Sequence, residues 1–131
     1  MIGLWSAHSQ TFLLVMATVT TLGFALPITF APLAWSRVMQ WRIPADTDLV
    51  IYFARCLGMF ILIVEWLAFR AGFTGEAIAF TFQVLLAVFG LMVVLHVVGM
   101  VQRIQPWTEN AEILMYSGLA VLALLFWPAA D

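Results

Sequence analysis

Lysine is absent from this chain, and charge of any kind is scarce. Five arginines supply every fixed positive charge against seven Asp and Glu, and charged residues make up 9% of the 131 positions. A soluble domain carries about a quarter of its residues as Asp, Glu, Lys and Arg, and these keep its surface wet. Too little polar material exists here to coat a water-facing surface, so hydrocarbon must coat it instead. The formal net charge of −2, with no basic run and no platform of stacking aromatics, argues against nucleic acid and against an anionic membrane surface as partner. Cysteine is nearly missing as well. Cys56 alone rules out an intramolecular disulfide and a thiolate metal cage, and its apolar neighbours make it an inert thiol. The opening MIGLWSAHSQ has no Lys or Arg ahead of the apolar run and no convincing cleavage site. The first apolar segment therefore reads as retained rather than as a cleaved signal.

What the chain does have is apolar length. Hydrophobic residues make up 65% of it, and its mean hydropathy is +1.08. About 20 apolar residues in helical form cross a hydrocarbon core of about 30 Å. Four segments approach that length, at about 11–30, 49–69, 77–101 and 111–127. Lipid offers the backbone no water to bond, so these runs are expected to be helices. The expected fold is all-α, a single membrane domain built as a transmembrane four-helix bundle.

The connections differ in character. Residues 31–48 carry Pro32, Arg37, Arg42, Pro44, Asp46 and Asp48, and LAWSRVMQW with the Arg42 that follows it sets Trp35, Trp41 and two arginines among apolar residues. That mixture fits either a short interfacial helix or an ordinary loop. RAGFTG is tight and makes helices two and three antiparallel neighbours. QRIQPWTEN offers Thr108 or Asn110 as N-cap of the fourth helix, with Glu109 or Glu112 near its positive end. Pro27 predicts a kink or an early end to helix one. Small residues at Ala17, Thr21 and Ala25, and at Ala54 and Gly58, predict faces that let helices approach closely. Trp5, Trp35, Trp41, Trp107 and Trp127 fall near helix ends, where indoles anchor at lipid interfaces. Arg37, Arg42 and Arg103 share one side and Arg70 the other. The positive-inside tendency then places both termini outside, which in a bacterial cell means an inner-membrane protein with periplasmic termini.

Ionisable groups inside a span are costly and usually turn inward. Arg55 and Glu65 on helix two and His96 on helix three are such groups, with Gln83 as an uncharged companion. A rise of about 1.5 Å per residue puts Arg55 about 9 Å and His96 about 7–8 Å inside the arginine-rich face. Glu112 and Tyr116 enter the same layer from helix four, and Tyr52 lies one turn above Arg55. Two readings follow. In the first, Arg55 pairs with Glu112 while His96 bonds a carbonyl or hydroxyl, and the layer simply holds helices two to four in register. In the second, Arg55, His96 and Glu112 line a site for an anionic headgroup, a small acid or a quinone. Glu65 and Gln83 form a second expected pair near the opposite face. His96, in the run L-H-V-V-G, is also a candidate single axial ligand for haem or chlorophyll, with room for a macrocycle beside Gly99. His8 lies near the opposite face, so no bis-histidine site can form. No catalytic arrangement, phosphate loop or zinc-type spacing is present, and no metal ligand set is read from the chain.

The stretch LGFALPITFAPLAWSRVMQW…YFARCLGMF resembles the small four-helix membrane proteins called DoxX-like. The likeness rests on a first helix ending in FAP, an amphipathic segment after it, and Arg55-Cys-Leu-Gly58 opening helix two. It implies a compact four-helix bundle, and some such proteins are linked to quinone-dependent sulfur oxidation, but no residue here carries a catalytic role across. The leading expectation is a non-enzymatic integral membrane protein, an accessory subunit packed against other membrane subunits or against copies of itself. The rival is a small-molecule or quinone-binding component of a redox system.

Overall fold

The computed structural model describes residues 2–129, and the elements found there are helices and turns. Five helices follow one another. The first, α1, spans Ser6–Phe30. A short α2 spans Pro32–Val38, and three more run at Asp48–Thr74 (α3), Ile78–Gln102 (α4) and Trp107–Leu125 (α5). Three of them, α1, α3 and α4, are long and apolar enough to cross a membrane. The 19 residues of α5 open on Trp-Thr-Glu-Asn-Ala-Glu, and that polar first turn keeps it short of the same composition. The segment after α1 does form a helix, but only over Pro32–Val38, and irregular chain follows from Trp41.

Pro27 does not end α1. The ladder widens ahead of it into a π turn over Thr21–Ala25, with the Leu26 N–H reaching the Thr21 carbonyl. Helix then resumes over Leu26–Phe30. Proline leaves the carbonyl four residues back, that of Gly23, without its usual donor. The Trp35 indole supplies a hydrogen to that carbonyl at 3.2 Å. So α2 folds back against α1, and Trp35 caps a defect as well as sitting near a helix end.

Close approach occurs where small residues permit it. A Cβ added at Gly58 would overlap the Thr29 side chain and backbone, and one at Gly72 would press on Leu14. Ala17, Ala25, Ala68 and Ala71 are fully buried along the same α1–α3 seam. In lipid, where apolar burial gives helices no hydrophobic drive, such van der Waals fit carries the association. Gly75, at φ +75°, takes the left-handed turn that ends α3, and its N–H caps the Ala71 carbonyl. RAGFTG is therefore mostly helix, and the true connection is only 75–77.

The apolar core joins all four long helices at the end where the termini lie. Leu13 and Met16 from α1, Ala68 and Ala71 from α3, Phe82, Leu85 and Phe89 from α4, and Ala123 from α5 make it up. Phe12 stacks on Phe126 at 4.9 Å, and Trp127 stands edge-on to Phe82 at 5.9 Å, so Trp127 packs inward as well. The N-terminal turn is tied to the end of α5 by the Gly3 and Trp5 N–H groups, which donate to the Leu124 and Leu125 carbonyls at 2.9 Å. At the other end, the 39–41 segment meets the start of α5. Trp107 Nε1 donates to Gln40 Oε1 at 2.8 Å, and Thr108 Oγ1 donates to the Met39 carbonyl. Arg37, Arg42 and Arg103 thus share one end of the molecule.

Neither expected N-cap acts as one. The capping position of α5 is Pro106, with no side-chain bond. Thr108 is turned to Met39, and Asn110 accepts from Gln105 Nε2 at 2.7 Å. Proline fixes the helical start by its own dihedral, which frees both side chains for tertiary contacts.

Candidate functional site

Three ionisable side chains converge between α4 and α5. His96 is 3% exposed, and Glu109 and Glu112 are each 7% exposed. His96 belongs to the buried stripe of α4, where Phe82, Leu85, Phe89, His96 and Gly99 face inward. Their intervals of three, four, seven and three residues are those of a helix packed against neighbours. Glu109, in the first turn of α5, and Glu112, three residues on, share one face. The four-residue connection after α4, 103–106, folds that face onto His96.

The geometry fixes the imidazole. His96 Nδ1 lies 2.6 Å from the Met92 carbonyl. A carbonyl only accepts, so Nδ1 carries the hydrogen. Nε2 then faces two carboxylates, Glu109 Oε2 at 3.1 Å and Glu112 Oε2 at 3.2 Å. The other oxygen of Glu109 accepts from the Trp41 indole at 2.6 Å. Glu112 Oε1 is buried, and no donor among the described residues reaches it. The Tyr116 ring closes one side, its centroid 5.5 Å from that of His96.

Of the expected layer, His96, Glu112 and Tyr116 come together. Arg55 and Tyr52 do not: both are exposed on α3, Tyr52 at 64%, and neither is bonded to the cluster. Buried positions on α3 include Gly58, Glu65, Ala68 and Gly72, with Ala54 half-buried on the same seam. Arg55 follows Ala54, and one residue turns a helical side chain by about 100°. Its azimuth, not its position along the helix, keeps it from the cluster. Without Arg55 the layer has no anion-binding cation, so the reading as a site for a headgroup, small acid or quinone loses its anchor. The cluster is acidic and suits a cation instead.

Glu65 and Gln83 are likewise apart. Gln83 is exposed, one residue past the buried Phe82. Glu65, 6% exposed, has Thr20 of α1 as its partner, with Thr20 Oγ1 2.6 Å from Glu65 Oε1. The space beside Gly99 is also taken. A Cβ there would overlap the Gln105 side chain, whose Nε2 donates to the His96 carbonyl at 2.9 Å. With that space filled and Nε2 held between two carboxylates, His96 has no open side for haem or chlorophyll.

Glu109 was the residue missed, because its place in a first turn reads as a charge beside the helix dipole. Its spacing to Glu112 was the available signal. His96, Glu109 and Glu112 each offer a ligand atom within 4.8 Å of the others, a donor set that two helices assemble and no local motif announces. No family model matches the chain, and comparisons with curated proteins and with solved structures found no match.

Proposed function

We propose that this chain is a four-span integral membrane protein that serves as an accessory subunit, docking through the outward face of α3 to a membrane helix bearing a carboxylate. Arg55 carries this reading. It is exposed, with no ion pair among the described residues, and the residues one turn away on that face, Tyr52 and Met59, are more than half exposed. A guanidinium on a lipid-facing surface about 10 Å past the start of α3 needs a partner. Its own bundle offers none, so an acidic group from another subunit, or from a second copy, is the complement.

The fourth span is α5, about 28 Å long by helical rise, with its polar first turn folded onto α4. Both termini then lie on the side away from Arg37, Arg42 and Arg103, outside the cytoplasm by the positive-inside tendency. Kinship with the DoxX-like proteins enters this proposal for the four-helix plan alone.

Extraction from native membranes in mild detergent, followed by native electrophoresis, tests the subunit reading. Wild type is expected to migrate in a larger assembly and Arg55→Leu as a free, helical monomer. A solitary wild-type monomer at native abundance sinks the subunit reading. An assembly that Arg55→Leu leaves intact sinks the docking face and points to Arg55 reaching lipid phosphate instead.

A further inference from the structure

We infer that His96, Glu109 and Glu112 form a binding site for one first-row divalent metal ion between α4 and α5. The argument begins with lone pairs. The Met92 carbonyl fixes the hydrogen of His96 on Nδ1, leaving a bare lone pair on Nε2. That lone pair and the two carboxylate oxygens at 3.1 and 3.2 Å are all acceptors, pointed at one another. Acceptors brought so close require something positive among them.

Charge counting says what that is. Two ionised carboxylates bring two negative charges into a site less than one-tenth exposed. No arginine among the described residues pairs with either, and His96 is their only ionisable partner. A divalent ion with a neutral imidazole and two carboxylates sums to zero, the state a low-dielectric site favours. The distances agree. Bonds of about 2.0–2.2 Å put adjacent ligand atoms about 3.3–3.6 Å apart around a tetrahedral ion and about 2.8–3.1 Å apart around an octahedral one. Of the two histidine–carboxylate separations, 3.1 Å meets the upper end of the octahedral range and 3.2 Å lies between the two.

The surrounding groups fit as well. A ligating histidine usually donates its other ring N–H to a carbonyl, as His96 does to Met92, and ligating carboxylates are themselves hydrogen-bonded, as Glu109 is by Trp41. Glu112 Oε1, buried and without a donor, is free to make its carboxylate bidentate. One imidazole with two carboxylates suits Zn²⁺, Mn²⁺ or Fe²⁺, and a bidentate Glu112 supplies the fourth donor atom.

The test uses the full chain in detergent, stripped by chelator and titrated with Co²⁺ alone, then Zn²⁺ alone. Wild type is expected to take up one Co²⁺ per chain, with d–d absorption in the visible that Zn²⁺ displaces. Glu112→Gln is expected to weaken uptake more than tenfold while helical content and elution stay as in wild type. His8→Ala, which removes the exposed histidine, leaves uptake unchanged. Wild type needs no variant for a second check: X-ray absorption at the zinc edge should report one imidazole among oxygen ligands. Absence of saturable uptake means the cluster holds protons alone and overturns the site. So does uptake that Glu112→Gln leaves intact, or a zinc shell with sulfur or two imidazoles.

Discussion

Glu65, between α1 and α3, has a single hydroxyl for company, whereas Glu109 and Glu112, between α4 and α5, have a histidine, an indole and each other. The two halves of the bundle also close differently around these acids. Along α1 and α3 the backbones meet at Gly58 and Gly72, and fit does the work. Where α4 meets α5, polar groups reach across the seam, and the connection from α2 adds Trp41. One half is held by shape and tolerates a lone acid. The other half has its charges organised around one point.

Removing His96 tests that contrast hardest. His96→Leu leaves two buried carboxylates facing one another, and breaking a buried charged cluster this way costs about 3–5 kcal/mol. Detergent unfolding of the micelle-held protein, followed by circular dichroism, is the measurement. A loss below that of the Gly58 variant described next would reverse the ranking of the two halves. Trp41→Phe keeps the ring and deletes only the indole N–H on Glu109, so about 1.5–3 kcal/mol is expected from the same assay. Gly58→Ala probes the shape-held half. Its Cβ meets Thr29 backbone atoms as well as the hydroxyl, and overpacking of this kind costs about 1–3 kcal/mol. Gly90→Ala, with nothing within 4 Å of the added carbon, serves as its control and should not destabilise.

Much of this contrast was legible in the sequence, though unevenly. Apolar run length located the long helices to within a few residues, because a span must match the thickness it crosses. Depth was legible too, since rise per residue is fixed: His96 and Glu112 were placed in one layer and do meet. Azimuth is the part that run length and rise do not give. Arg55 and Gln83 each sit one residue past an inward position, Ala54 and Phe82, and each was assigned a partner it cannot face. Spacing along α4 held the remedy, since His96 continues the three-and-four rhythm of Phe82, Leu85 and Phe89. Trp41 bonding Glu109 had no local signal, because it depends on how 39–47 folds over the end of the bundle.

The smallest expected effect sharpens the comparison most. Thr20 Oγ1 lies 2.6 Å from Glu65 Oε1 and 2.8 Å from the Met16 carbonyl, and one hydroxyl hydrogen cannot serve both. Glu65→Gln brings an N–H to that contact, so Thr20 can keep its hydrogen on Met16 and accept from the amide. The far end, where Glu65 Oε2 is buried without a donor, gains and loses little. Stability should therefore move by less than about 1 kcal/mol in the same unfolding assay. Cobalt uptake at His96, Glu109 and Glu112 should not move at all, since Glu65 bonds only across the α1–α3 seam. The amide that Glu112 cannot accept without losing its ion is one that Glu65 can. If Glu65→Gln cost as much as His96→Leu, or abolished cobalt uptake, the two halves would be one coupled network and the division between shape and charge would fail.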